Sequence, residues 1–121
     1  MKQGDGFTIA NREDFERTGR WSLVRRTLGL DSFGMNLVEI EPGYSIPEHD
    51  ETGRDHEEIF FVVSGAVTAV LDGDEHPAPA GTFVRCDPQV RRTMRNDGDE
   101  VAQVLIASAP RTSGYEPLEW A

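Results

Sequence analysis

From Trp21 onward the chain is a series of short apolar or alternating segments, each stopped by a cluster of turn residues before it could become a helix of ordinary length. The separators are Glu41-Pro42-Gly43, Ser64-Gly65, Asp72-Gly73-Asp74, Pro79-Ala80-Gly81, Asp87-Pro88 and Asn96-Asp97-Gly98. They combine glycine, which accepts positive φ, with proline and with Asp, Asn or Ser, whose side chains satisfy turn backbone locally. Strands are expected over Trp21–Leu28, Phe33–Glu41, Ile59–Ser64, Ala66–Leu71, Thr82–Arg85, Arg91–Arg95 and Val101–Ala107. Short strands at such intervals predict an all-β barrel or sandwich. One short helix is expected near Arg12–Arg17, with Asn11 as N-cap and Glu13 and Asp14 suiting the positive end of its dipole.

One expected strand bears on assembly. Ile59-Phe60-Phe61-Val62-Val63 is apolar on both faces, so each face needs cover. If the even positions share the interior with Glu58, then Ile59, Phe61 and Val63 face the opposite sheet, the N-terminal segment or a second copy, and a homodimer is the expected partner. At 121 residues, with no internal repeat or low-complexity linker, the chain is expected to form one domain over residues 1–121. The segment after Ala109, with its prolines and glycine, reads as a strap.

Charge narrows the partners. With 22 Asp plus Glu against 12 Lys plus Arg, a formal charge of -10 repels nucleic acid and anionic membranes, and neither is expected to bind. The arginines cluster locally, at Arg25-Arg26 and Arg91-Arg92, and such patches can receive an anionic small molecule. The single cysteine, Cys86, forms no internal disulfide and reads as a small packed side chain. No leader-like or membrane-length apolar run is visible, and a cytoplasmic location is expected.

Gly43, five residues, His49, then Glu58, six residues and Gly65 resemble the first motif of the cupins. An eroded second motif follows from Gly81, with Asp87 where proline is usual, Gln89 for glycine, Arg92 for histidine and Asn96 in register. The chain is similar to small single-domain bacterial cupins with a His-Asp-Glu-Thr-Gly stretch, here His49 to Gly53. The resemblance implies a double-stranded β-helix, the cupin or jelly-roll barrel, with motif 1 at about 43–65 and motif 2 at about 81–96. Motif side chains would then point into the barrel near its open mouth. Alternation along strands would put His56, Phe60 and Val62 on the inner face with Glu58, and Met94 and Asn96 with Arg92.

The resemblance also implies a metal site, from which this sequence departs at two positions. Glu51 stands where the second histidine of the first motif is usual, and Arg92 where the last histidine is usual. His49, His56 and Glu58 offer two imidazoles and a carboxylate, with Glu51 as a further oxygen ligand, a set suited to one divalent Fe, Mn, Ni or Zn. Against this, a unit charge about 4 Å from a dication, at an effective dielectric near 20, opposes it by about 8 kcal/mol. Arg92 therefore either replaces the metal by bridging Glu58 and Glu51, or turns to the mouth to receive a substrate anion. His49 and Glu51 are the catalytic candidates, His49 as a base with a near-neutral pKa. Phe60, Arg92 and Met94 are the expected ligand contacts. His76, in the Asp72–Pro77 turn, reads as a surface residue.

Three functions fit these residues. The first is a cupin that binds a small polar or anionic metabolite in its barrel; the second is a metal-dependent oxygenase or isomerase on a small organic molecule. The third is a metal-free structural or regulatory module whose barrel is plugged by an Arg92–carboxylate network. No Walker-type loop, dinucleotide fingerprint, Gly-x-Ser-x-Gly elbow or Cys-x-x-Cys pair is present, which disfavours nucleotide hydrolysis and serine-type acyl transfer.

Overall fold

A computed structural model describes residues 1–121. In chain order the elements are β1 (Lys2–Gly4), β2 (Phe7–Ile9), a 3-10 turn (Arg12–Asp14), β3 (Arg17–Thr18), β4 (Trp21–Ser22), α1 (Val24–Leu28) and β5 (Gly34–Ile40). Then come β6 (His56–Ser64), β7 (Ala66–Leu71), β8 (Asp74–Pro79), β9 (Phe83–Cys86), β10 (Arg92–Arg95) and β11 (Ala102–Pro110). All strand pairs are antiparallel. One sheet has the order β3-β4-β5-β11-β6-β9 and the other β10-β7-β8, while β1 and β2 form a separate hairpin. The segment from Tyr44 to His49 adds to the free side of β10 through bridges Ser45–Arg95 and His49–Arg92, which carries the first motif into the second sheet. The result is the expected double-stranded β-helix barrel.

Its core is the inner face of both sheets. Val38, Ile40, Phe60, Val62, Val67, Ala69, Met94, Val104 and Ile106 form one buried cluster, and Cys86 packs within it. Strand parity holds where it was expected: Glu58, Phe60 and Val62 alternate with more exposed neighbours on β6, and Arg92, Met94 and Asn96 are all fully buried. Gly65, the last residue of motif 1, has φ +74, and a Cβ there would lie 2.8 Å from Ala102 Cα and from the Val101 carbonyl oxygen. The tight β6–β7 turn passes so close to β11 that only glycine fits.

Three expectations need correction. Trp21–Leu28 is not one strand: β4 ends at Ser22 and Val24–Leu28 is a turn and a half of helix. Adjacent Arg25 and Arg26 cannot both point away from a sheet in an alternating strand, whereas one helical turn exposes both and buries Val24. Gly29, in the left-handed region at φ 73, ends that helix, and Leu30 N–H caps the Arg25 carbonyl. The helix expected over Arg12–Arg17 shrinks to Arg12–Asp14, because Asn11 and Asp14 close a capping box and Phe15 is already extended. The Asp72–Pro77 turn is only the pair Asp72-Gly73, both at positive φ, as a tight hairpin requires, and β8 starts at Asp74. His76 lies on β8 and is exposed. No helix is long and apolar enough to cross a membrane.

Candidate functional site

The first motif and the start of β6 bring three donor residues together. His49 is held at the end of the segment paired to β10, with mutual backbone hydrogen bonds to Arg92 of 3.1 and 2.9 Å. Its Nε2 lies 3.1 Å from Glu51 Oε1 and 3.6 Å from Glu58 Oε1, and its Nδ1 is 3.1 Å from the Pro47 carbonyl oxygen. One ligand atom from each of His49, Glu51 and Glu58 falls within 4.8 Å of the others. Both carboxylates are buried, at 6% exposure each, while His49 remains half-buried.

Each carboxylate already has a guanidinium. Arg92 is fully buried and donates from Nη1 to Glu58 Oε1 at 3.0 Å, from Nε to the Val90 carbonyl at 2.8 Å and from Nη2 to the Asp87 carbonyl at 2.7 Å. Of the alternatives for Arg92, the structure shows the bridge to Glu58 and excludes the turn toward the mouth. It does not reach Glu51. That residue is held instead by Arg54, whose Nε and Nη2 donate to its two oxygens at 2.7–3.0 Å. The loop before β6 is thus pinned by Arg54, by Asp50 accepting from Thr52 and by Arg111 paired with Asp55.

Burial pushes the Glu58 carboxyl above the usual range against the opposing pull of Arg92, and nearby Glu51 adds to the rise. Cys86 stands across from Glu58 in the β6–β9 register, and burial raises its thiol pKa too.

His56 does not join the cluster. Its side chain follows the expected parity, but Nδ1 lies 3.2 Å from Ser108 Oγ on β11. The grouping is therefore one imidazole and two carboxylates, with Glu51 a full member in place of His56. The donor types suit a divalent cation, and Glu58 Oε1, which already accepts from Arg92, would have to be shared with it. Phe60 and Met94, expected as ligand contacts, have no exposed surface and belong to the packed core.

Above this centre is a cavity of about 340 Å³ that shares Glu58 with it. Its wall includes Asn36 from β5, Ser108 from β11, Arg54 from the loop, and Arg25 and Arg26 from α1. Arg25-Arg26 is the cationic patch expected from the sequence, now placed at the cavity; Asn36, Arg54 and Ser108 are not among the residues expected there. Asn36 had a signal: it shares a strand face with Val38 and Ile40, where a polar residue stands out against the core pattern.

Known proteins share this fold. The family described as Cupin domain matches residues 36–108. Polyketide synthase CurC of Streptomyces cyaneus is 33% identical over 91 residues, 75% of this chain, and the chain spans only 58% of that protein's length. A cupin protein from Bacteroides fragilis superposes over 99% of this chain and 94% of its own, with a TM-score of 0.79 at 19% identity, a likeness of fold. A putative sugar phosphate isomerase from Acidithiobacillus ferrooxidans is similar over 73% of this chain and 56% of its own, at 26% identity and a TM-score of 0.63.

Proposed function

The chain belongs to the cupin family, and we propose that it binds a small polar or anionic metabolite in the mouth of its barrel, on the wall that carries Glu58. The observation that carries this reading is the cavity itself. In a chain of formal charge -10, the charged residues on its wall are Arg25, Arg26 and Arg54 against Glu58 alone. A low-dielectric concavity whose wall carries a surplus of one sign of charge concentrates ions of the other. The related proteins carry names that concern polyketides and sugar phosphates. Both are oxygen-rich, carbonyl-bearing molecules, which supports a ligand of that size and polarity. The open cavity weighs against a barrel merely plugged by Arg92 and Glu58.

The test is a thermal-shift screen of small acids, sugar phosphates and neutral polyols on the whole chain, with each hit mapped by amide chemical shifts. Ligands should raise Tm saturably and move resonances of Asn36, Arg54 and Ser108. Hits that move only the outer sheet face would overturn the reading.

A second reading, a metal-dependent cupin enzyme, is favoured by the three donor atoms of His49, Glu51 and Glu58 within 4.8 Å. When bound there, a divalent ion supplies Lewis acidity to a carbonyl oxygen. Arg54 and Arg92 orient the two carboxylates, and His49 is fixed by Pro47. Elemental analysis of protein prepared without an affinity tag should find near-stoichiometric metal that disappears in His49→Ala. Its absence after anaerobic reconstitution with Fe, Mn, Ni and Zn would overturn this second reading.

The partner we propose is a second copy. Ile59, Val63 and Phe83 are 39%, 42% and 65% exposed on the outer face of β6 and β9, beside Phe61, whose ring lies 4.3 Å from that of Phe83. A two-fold dimer needs one self-complementary patch, and this contiguous apolar face supports that reading. Light scattering should give a dimer that Phe83→Glu converts to monomer; a monomeric parent protein would remove the proposal.

A further inference from the structure

The cavity wall holds two polar groups whose hydrogen-bonding capacity the protein leaves largely unfilled. Around the site, Arg26 pairs with Glu16 at 3.3 Å, Arg54 with Glu51 at 2.7 Å and Arg92 with Glu58 at 3.0 Å. Arg25 pairs with no carboxylate. Its only hydrogen bond runs from Nη1 to the Leu30 carbonyl at 3.1 Å, which occupies one of the five guanidinium N–H groups and steadies the loop after α1. Asn36 is the second such group. It is half-buried on the inner face of β5 and lines the cavity, with its side-chain amide left open to solvent rather than buried without a partner.

These two residues differ from their surroundings in a way that points to a ligand. The guanidinium–carboxylate pairs neutralise one another and leave a single positive charge at the rim, on Arg25. The inner face of β5 runs Gly34, Asn36, Val38, Ile40, so the small and polar positions lie at the cavity and the apolar ones in the core. One surplus cation matches one negative charge. A dianion would leave an excess negative charge close to Glu58 and Glu51. A neighbouring amide, with one acceptor and two donors, suits a hydroxyl or carbonyl near the anionic group.

We propose that Arg25 and Asn36 form a subsite for a small hydroxy- or oxo-monocarboxylate, with Arg25 taking the carboxylate through its planar fork and Asn36 the neighbouring oxygen. This rests on the barrel-mouth reading and names its ligand class. It gives α1 a task that packing does not explain, since the helix buries only Val24 and presents Arg25 and Arg26 to the mouth.

The experiment is an NMR titration of the whole chain with three probes: lactate, its neutral amide lactamide, and inorganic phosphate. Lactate should shift the Asn36 side-chain amide saturably and bind roughly tenfold or more tightly than either of the others, the scale of one charge-assisted hydrogen bond. Arg25→Gln should weaken lactate by a similar factor and leave lactamide unchanged. Arg25→Lys should recover only part, because it restores the charge without the fork. Arg25 is exposed, so both variants should keep the parent dispersion of amide shifts. Equal lactate binding by Arg25→Gln, with mouth resonances still moving, overturns this subsite and leaves the barrel-mouth reading standing. If none of the probes moves a mouth resonance, while other small molecules do in the broader screen, the subsite alone falls; if nothing does, both fall.

Discussion

Strand β10 carries two arginines three positions apart, and they live in different media. Arg92 points inward and is fully buried, with Glu58 and two backbone carbonyls as its partners. Arg95 points outward with a side chain 36% exposed, held by Asp97 at 2.8 Å and by Glu75. The chemistry of the two groups is the same and the carboxylates respond in opposite directions. Glu58 is pushed up because burial outweighs the pull of Arg92, whereas Asp97, hydrogen-bonded by Arg95 and Thr68 at the surface, falls to about 2. An ion pair in water is weakly stabilised and replaceable. One under a barrel is held because the alternative is an unpartnered charge.

The largest effect should come from breaking the buried side. Arg92→Met strands Glu58 and leaves the Asp87 and Val90 carbonyls without their guanidinium donors. Urea denaturation should show a loss of about 3–5 kcal/mol, the usual scale for removing one member of a buried pair. Removing both charges, as Arg92→Met with Glu58→Leu, should return most of that loss, because an apolar pair of similar volume suits the core. If the double variant is no more stable than Arg92→Met alone, the pair has a structural role beyond mutual neutralisation.

That buried pair also marks how far the sequence could be read. Parity from Glu58 and Arg92 placed both strands correctly, because an alternating pattern set against a half-buried sheet has only one workable register. The barrel followed from the turn residues and the motif spacing. Partner choice was less legible. Glu51 and Arg54 are neighbours in a loop, where no periodicity says which side chains meet, and His56 found Ser108 across 52 positions of sequence. The mouth is illegible at α1 because a five-residue helix carries too little pattern to distinguish from a strand, and its Arg25 and Arg26 reach the cavity only through that turn.

Between the two extremes lies the Arg54–Glu51 pair, whose cation is largely exposed and whose carboxylate is buried. Arg54→Gln should therefore lower stability by about 1–3 kcal/mol, the range for a buried acceptor that loses its charged donor but keeps another contact, here His49. A loss as large as that of Arg92→Met would mean that carboxylate burial alone sets the penalty; no loss would mean that water replaces Arg54 freely.

The surface pair should move least. At neutral pH Asp97→Asn should lower the urea midpoint least of these variants, and the effect should shrink with added salt, as for other exposed pairs. Its pH dependence gives the finer test. The folded carboxyl titrates at about 2 and the ordinary value is 3.8, so between these the unfolded chain binds a proton that the folded chain does not. Stability from Asp97 is thus fully present above 3.8 and is lost as the pH falls toward about 2. The difference in urea midpoint between the parent chain and Asp97→Asn should close across that window and nowhere above it. A difference that persisted below it would assign the contribution of Asp97 to the shape of its turn rather than to its charge.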